Sequence, residues 1–183
     1  MRIPSRMLRV ARELLGMSQE ELAKELNLTS RAVQRVEAES PSSSLNRQDA
    51  FTEHFRGKGL MFLLPDDRRV GWGVIECFDN SELETPARFL RAARIALNQS
   101  QATLGNNADL GVMTVRRIES GNANVEGETR QFLVEFLNRE GVEFISPEGG
   151  LGWGAVFAGI TDLPGPRHPR ASVQIRKRAR SGE

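Results

Sequence analysis

The stretch GMSQEELAKELNLTSRAVQRVEAE, Gly16 to Glu39, decides the fold. Ser18 followed three residues later by Glu21 is a capping box, which satisfies two orphan amides at the start of a helix. Leu22, Ala23 and Leu26 then fall on one face of that helix. Asn27 stands where a tight turn needs a left-handed residue, a conformation Asn tolerates better than most. Thr29 is placed to cap another short helix, whose inner face is Ala32, Val33 and Val36.

Working outward, the preceding segment keeps Met7, Leu8, Ala11, Leu14 and Leu15 at helical spacing, with Ser5 as its expected N-cap and Gly16 as its stop. Downstream, a helix is predicted over about Arg47–Arg56, with Phe51 and Phe55 one turn apart. After Gly57–Gly59 the period changes. LMFLL and RRVGWGVIECF read as two strands joined by the turn PDDR. The unit is thus four helices and a β-hairpin. Its two short helices with a tight turn between them form a helix-turn-helix arrangement, in which the second helix fits the major groove and the first braces it across the backbone.

The pattern is stated twice. NQSQATLGNNADLGVMTVRRIESG, Asn98–Gly121, repeats it at an offset of 82, and Pro4–Glu37 aligned with Pro86–Glu119 gives 14 identities in 34 positions. Phe51 and Phe55 align with Phe132 and Phe136 one register back, and VGWGV (70–74) aligns with LGWGA (151–155). Self-similarity over so long a unit predicts two domains rather than a solenoid. The predicted organisation is a first domain over 1–78, a linker over 79–85, a second domain over 86–160 and a basic, Pro-containing tail over 161–183. The fold class expected is mainly α, with two tandem units each closing on a short hairpin.

At this point the residues carry a resemblance. MSQEELAKELNLTSRAVQRVE resembles the Xre/Cro-type, lambda-repressor-like DNA-binding family, strongly over Arg9–Glu39 and moderately over Arg91–Gly121. The resemblance implies a DNA-facing set in the first copy of Gln19, Thr29, Ser30, Arg31, Gln34 and Arg35. Gln19 matches a glutamine that contacts phosphate. Arg31 could reach guanine O6 and N7 bidentately, and Ser30 a base edge or a phosphate. The family pattern also implies two salt bridges between first and third helices, Arg12 with Glu37 and Arg94 with Glu119, in a structural role. In the second copy the corresponding set is Gln101, Val112, Met113, Thr114, Arg116 and Arg117. Val112 and Met113 replace Ser30 and Arg31, so guanine readout is lost there, while the arginines still suit phosphates. Gly105, Asn106, Asn107 and Ala108 are expected to weaken the bracing helix of this copy, the glycine by about 0.5–1 kcal/mol. Gly111 offers no side chain to cap the next helix.

Charge and composition bound the remainder. The body to residue 160 carries 19 Lys+Arg against 22 Asp+Glu, whereas the last 23 residues carry 6 against 2, so a basic tail follows a slightly acidic body. That tail could meet a polyanion, and its Ser172–Ile175 stretch could add a strand to a hairpin. One cysteine, Cys77, excludes an intrachain disulfide and fits a reducing compartment. Apolar runs such as GLMFLL are too short to span a membrane. The glycines of GGLGWGAVFAG mimic a dinucleotide loop, but no helix opens there, so a strand is expected instead. Trp72 and Trp153 at matching positions predict hairpin packing. His54 and His168 stand alone, and no nucleophile–base set is visible, so neither an enzyme nor a metal or cofactor site is expected. The expectation is a cytoplasmic, prokaryotic transcriptional regulator that binds double-stranded DNA as a homodimer or as a pseudo-dimer within one chain. The rival reading is a protein-interaction module, antitoxin-like or anti-repressor, that uses its hairpin edges and the degenerate second repeat.

Overall fold

A computed structural model describes residues 3–38, 45–66, 69–78, 82–122 and 124–161. The basic tail from residue 162, with its Ser172–Ile175 stretch, lies outside the described residues, as do the tip of the first hairpin turn and part of the linker.

The opening helix, α1 (Ser5–Leu14), buries Met7, Leu8, Val10, Ala11 and Leu14 along one stripe. Its N-cap is Pro4, not Ser5: the amides of Met7 and Leu8 return to the Pro4 carbonyl at 2.9 and 3.3 Å, and Ser5 is the buried first helical residue. Proline cannot donate, so it costs nothing at a helix start where amides go unpaired anyway. Gly16, at φ 67°, reverses the chain with its amide on the Glu13 carbonyl. The chain continues through α2 (Gln19–Glu25), α3 (Ser30–Glu37) and α4 (Leu45–Gly57), then the strands β1 (Leu60–Leu63) and β2 (Trp72–Glu76). Phe51, Phe55 and Phe62 stack edge to face, centroids 6.2 and 6.3 Å apart, and so fasten α4 to β1.

The same order recurs as α5 (Ala87–Ala96), α6 (Gln101–Asn107), α7 (Val112–Glu119), α8 (Gly127–Arg139), β3 (Val142–Ile145) and β4 (Gly154–Phe157). Among the described residues the fold is therefore eight helices and one small antiparallel sheet. The sheet is what joins the halves. Its order is β1-β2-β4-β3, so the two hairpins lie side by side and their inner strands pair. In that pairing Val74 stands opposite Ala155, two residues aligned in the sequence repeat, and the register runs symmetrically outward from them. Both are fully buried. Helix α1 packs against α5 beside the sheet. Arg91 Nη2 donates to the Glu13 carbonyl across that seam at 2.9 Å. One continuous apolar cluster results, from Met7 and Trp72 through Phe89 and Leu104 to Trp153 and Phe157. The boundary at 79–85 thus separates two sets of elements without separating two cores.

The second half also reveals what Gly105 does. Helix α6 runs on to Asn107, and Gly105 and Ala108 are buried. A Cβ on Gly105 would lie 2.8 Å from the Leu110 carbonyl oxygen. The missing side chain lets the turn close onto the helix, with the Leu110 amide 2.7 Å from the Gly105 carbonyl. Gly105→Ala is therefore expected to lower stability by about 1–2 kcal/mol, the overpacking outweighing the gain in helix propensity. Urea denaturation measures it; a more stable variant would show that the turn relaxes freely.

Candidate nucleic-acid interface

The first helix pair is fixed by local chemistry. The Ser18 side chain accepts from the Glu21 amide at 3.1 Å, and the Glu21 carboxylate accepts from the Ser18 amide at 2.7 Å, completing the capping box. These hydrogen bonds hold the Glu21 carboxyl below the usual carboxylate range. Asn27, at φ 55°, makes the turn, which the Leu28 amide closes onto the Ala23 carbonyl. Thr29 Oγ1 accepts from the Ala32 amide at 3.2 Å and starts α3. Val33 and Val36 anchor α3 in the core, while Ala32 is only half-buried.

With that face turned inward, Thr29, Ser30, Arg31, Gln34 and Arg35 are exposed on the opposite side. They form a polar ridge with two guanidinium groups. Among the described residues, neither the second half nor the hairpins cover it.

Behind the ridge lies a buried polar network. Arg12 Nε and Nη2 donate to the two carboxylate oxygens of Glu37 at 2.7 and 3.1 Å. Arg12 Nη1 donates to the Met17 carbonyl at 2.6 Å, and Gln19 Nε2 donates to Glu37 Oε2 at 2.9 Å. Burial opposes the Arg12 charge, but Glu37, and then Glu13, outweigh it and hold the guanidinium above its usual range. One carboxylate at the end of α3 thereby ties together α1, the turn after it and the start of α2. Gln19 commits its amide nitrogen to this brace, which leaves its carbonyl oxygen for other contacts.

The second half repeats the network closely. Arg94 Nε and Nη2 meet Glu119 at 2.6 and 3.0 Å, Arg94 Nη1 meets the Gln99 carbonyl at 3.0 Å, and Gln101 Nε2 meets Glu119 Oε2 at 2.9 Å. Its outer face differs. Gly111 at the N-cap makes no side-chain cap, and Val112 and Met113 stand 40% and 52% exposed where Ser30 and Arg31 stand in α3. Arg116 and Arg117 are exposed, whereas Thr114 is half-buried and so contributes less to the outer face than expected.

Sequence reasoning missed one neighbour of this surface. A cleft of about 610 Å³ between the halves is lined by Arg9, Arg94, Asn98, Gln99, Ser100 and Gln101. Arg9 is exposed on its rim. Its repeat counterpart, Arg91, instead donates to the Glu13 carbonyl and lies 4.0 Å from the Glu13 carboxylate. At the Glu13 position the second half has Ile95, so the partner that engages Arg91 has no equivalent beside Arg9. The Arg9/Arg91 recurrence was the available signal, but it could not say which copy is engaged.

Among the described residues, no group of three or more His, Cys, Asp or Glu is placed to hold a metal. No described helix is long and apolar enough to cross a membrane. Residues 8–47 match the Helix-turn-helix family model, of the Xre/lambda-repressor-like type. No curated protein and no solved structure matches the chain.

Proposed function

Proceeding from the match of residues 8–47 to the helix-turn-helix family, we propose that this chain is a sequence-specific regulator of double-stranded DNA, built as a pseudo-dimer of two repeated units. The observation that carries the reading is the open ridge Thr29–Arg35, polar and cationic, held from behind by the Arg12–Glu37–Gln19 brace. A helix so presented enters the major groove, where Arg31 reads guanine and Arg35 and Gln34 reach base or backbone. The second unit reads differently. Val112 and Met113 suit thymine methyl groups, and Arg116, Arg117 and Arg9 suit phosphates. The two units would then meet two unlike half-sites with one chain.

Selection from random duplex DNA should return one motif of two unequal halves. In footprinting, Arg31→Ala is expected to flatten base preference at one position, by about tenfold in affinity for the preferred site. Arg117→Ala is expected to weaken all sequences alike and to reduce the salt slope by about one. No protection of any duplex at low salt would overturn the proposal.

The rival reading, a protein-interaction module, draws on the two outer edges, β1 and β3, which among the described residues have no strand beside them in the sheet. The inner edges are already paired with each other. Weak DNA binding without sequence preference, erased by modest salt, would favour this rival.

A further inference from the structure

The cleft between the halves is built from both of them. Arg9 of α1 stands on one side, and Arg94, Ile95 and residues 98–101 stand on the other, around about 610 Å³. Among the described residues, no carboxylate lines it. Arg94 is already paired with Glu119 at 2.6 Å. Gln99 Oε1 has no partner but is buried, so it offers the open space no acceptor. Arg9 is exposed, and among the described residues no hydrogen bond or ion pair engages it. Glu13, one turn further along α1, is turned to Arg12 Nη1 at 3.0 Å and toward Arg91 Nε at 4.0 Å. The offset that carries Arg9 onto Arg91 carries Glu13 onto Ile95. Across the seam, then, Arg91 meets a carboxylate, whereas the cleft that Arg9 enters has an isoleucine in that place.

We propose that this cleft seats one backbone phosphate of a duplex, with Arg9 of the first half supplying the cation to the site of the second. The inference rests on the proposed DNA-binding function and adds a contact made across the two halves. An unpaired guanidinium in a polar concavity without a carboxylate is matched to a phosphate in charge and in hydrogen-bond geometry. Asn98, exposed in the turn at φ 55°, adds a side-chain amide donor to the lining. Gln101 ties the cleft wall to α7, its Nε2 on Glu119 Oε2 at 2.9 Å. A phosphate held here therefore fixes the register of α7 on the duplex without reading a base. That register matters most in the second unit, where Val112 and Met113 stand in place of Ser30 and Arg31. On the opposite side Glu13 sets a negative charge at the equivalent position, so only one of the two related positions takes a phosphate.

The test replaces single phosphates of the selected duplex with neutral methylphosphonates. Affinity is measured for the full chain and for Arg9→Ala, an exposed position outside the core. One replacement beside the second unit is expected to weaken the full chain by roughly two- to fivefold, as for an exposed ion pair, and to leave Arg9→Ala unaffected. On the unmodified duplex Arg9→Ala should lower the salt slope by about 0.9 without changing base preference. Arg9→Lys should keep most of that slope, since the charge remains. Ile95→Glu, which sets a carboxylate beside Arg9 as Glu13 stands beside Arg91, should abolish the response to that phosphate, and Ile95→Gln should keep it. If Arg9→Ala responds to every replacement as the full chain does, the inference is overturned and the proposed function stands. Tight binding of inorganic phosphate that Arg9→Ala abolishes, with no such difference on the duplex, would place a free anion in the cleft and overturn it too. Failure of the full chain to bind any duplex at low salt overturns both.

Discussion

Glu37→Ala is expected to lower stability by about 3–5 kcal/mol, because it strands the buried charge of Arg12. Arg12 is 5% exposed and makes two hydrogen bonds to Glu37, so removing the carboxylate leaves Nε and Nη2 unpaired. Gln19 loses its acceptor in the same step. Glu13, 3.0 Å from Arg12 Nη1, and the Met17 carbonyl remain and limit the loss. Urea denaturation gives the magnitude. The double variant Arg12→Met, Glu37→Leu should recover most of it, since an apolar pair of similar volume replaces an ion pair at little net cost. A loss below about 1 kcal/mol for Glu37→Ala would place this pair among surface ion pairs. Because Glu37 ends α3, the single variant should also loosen the polar ridge, and DNA affinity should fall with stability.

Gly71→Ala should cost about 3 kcal/mol or more, through backbone strain and a clash that no side chain can relieve. Gly71 has φ 114°, and a Cβ there would lie 2.2 Å from the Phe157 carbonyl oxygen and 2.9 Å from Ala158 Cα. These are main-chain atoms at the end of β4. Either β2 withdraws from β4, or the reversal before Trp72 rebuilds. Gly16→Ala is the control: its φ is 67° but nothing lies within 4 Å of the added Cβ, so the left-handed strain alone should cost about 1–2 kcal/mol. Hydrogen exchange should locate the extra loss of Gly71→Ala at the β2–β4 amides. Equal losses for the two variants would mean that the seam yields easily.

Which features were legible follows from how far apart the interacting residues lie. Ser18 with Glu21, Asn27 at its turn and Thr29 at its cap each act within a few residues, so spacing alone places them. The polar ridge followed from these, because burying Val33 and Val36 turns Ser30, Arg31, Gln34 and Arg35 outward. The union of the hairpins was not legible. It depends on Val74 meeting Ala155, and a pattern such as WGVIE gives no partner. All five residues of β2 are buried, as in a central strand, rather than alternating as an edge strand would. Glu76 shows the same limit. A carboxylate at a strand end reads as solvent-facing, yet it is 3% exposed and is held by Arg88 at 2.7 and 3.1 Å. Burial opposes the Arg88 charge, but Glu76 and Glu82 outweigh it and hold the guanidinium above its usual range. Helical periodicity marks Arg88 only as polar. The half-buried Thr114 and the unequal settings of Arg9 and Arg91 likewise depend on neighbours that spacing cannot supply.

The inner strands β2 and β4 pair within a single polypeptide, and this changes how the protein responds to scarcity. Two separate subunits held by such a seam would part on dilution, and the share with both reading heads would fall with copy number. Here the joining is unimolecular, set by the effective concentration of a short connector rather than by how many molecules a cell contains. On the proposed DNA-binding function, occupancy of a composite site would then rise with the first power of protein concentration, and a handful of copies would act as intact pairs.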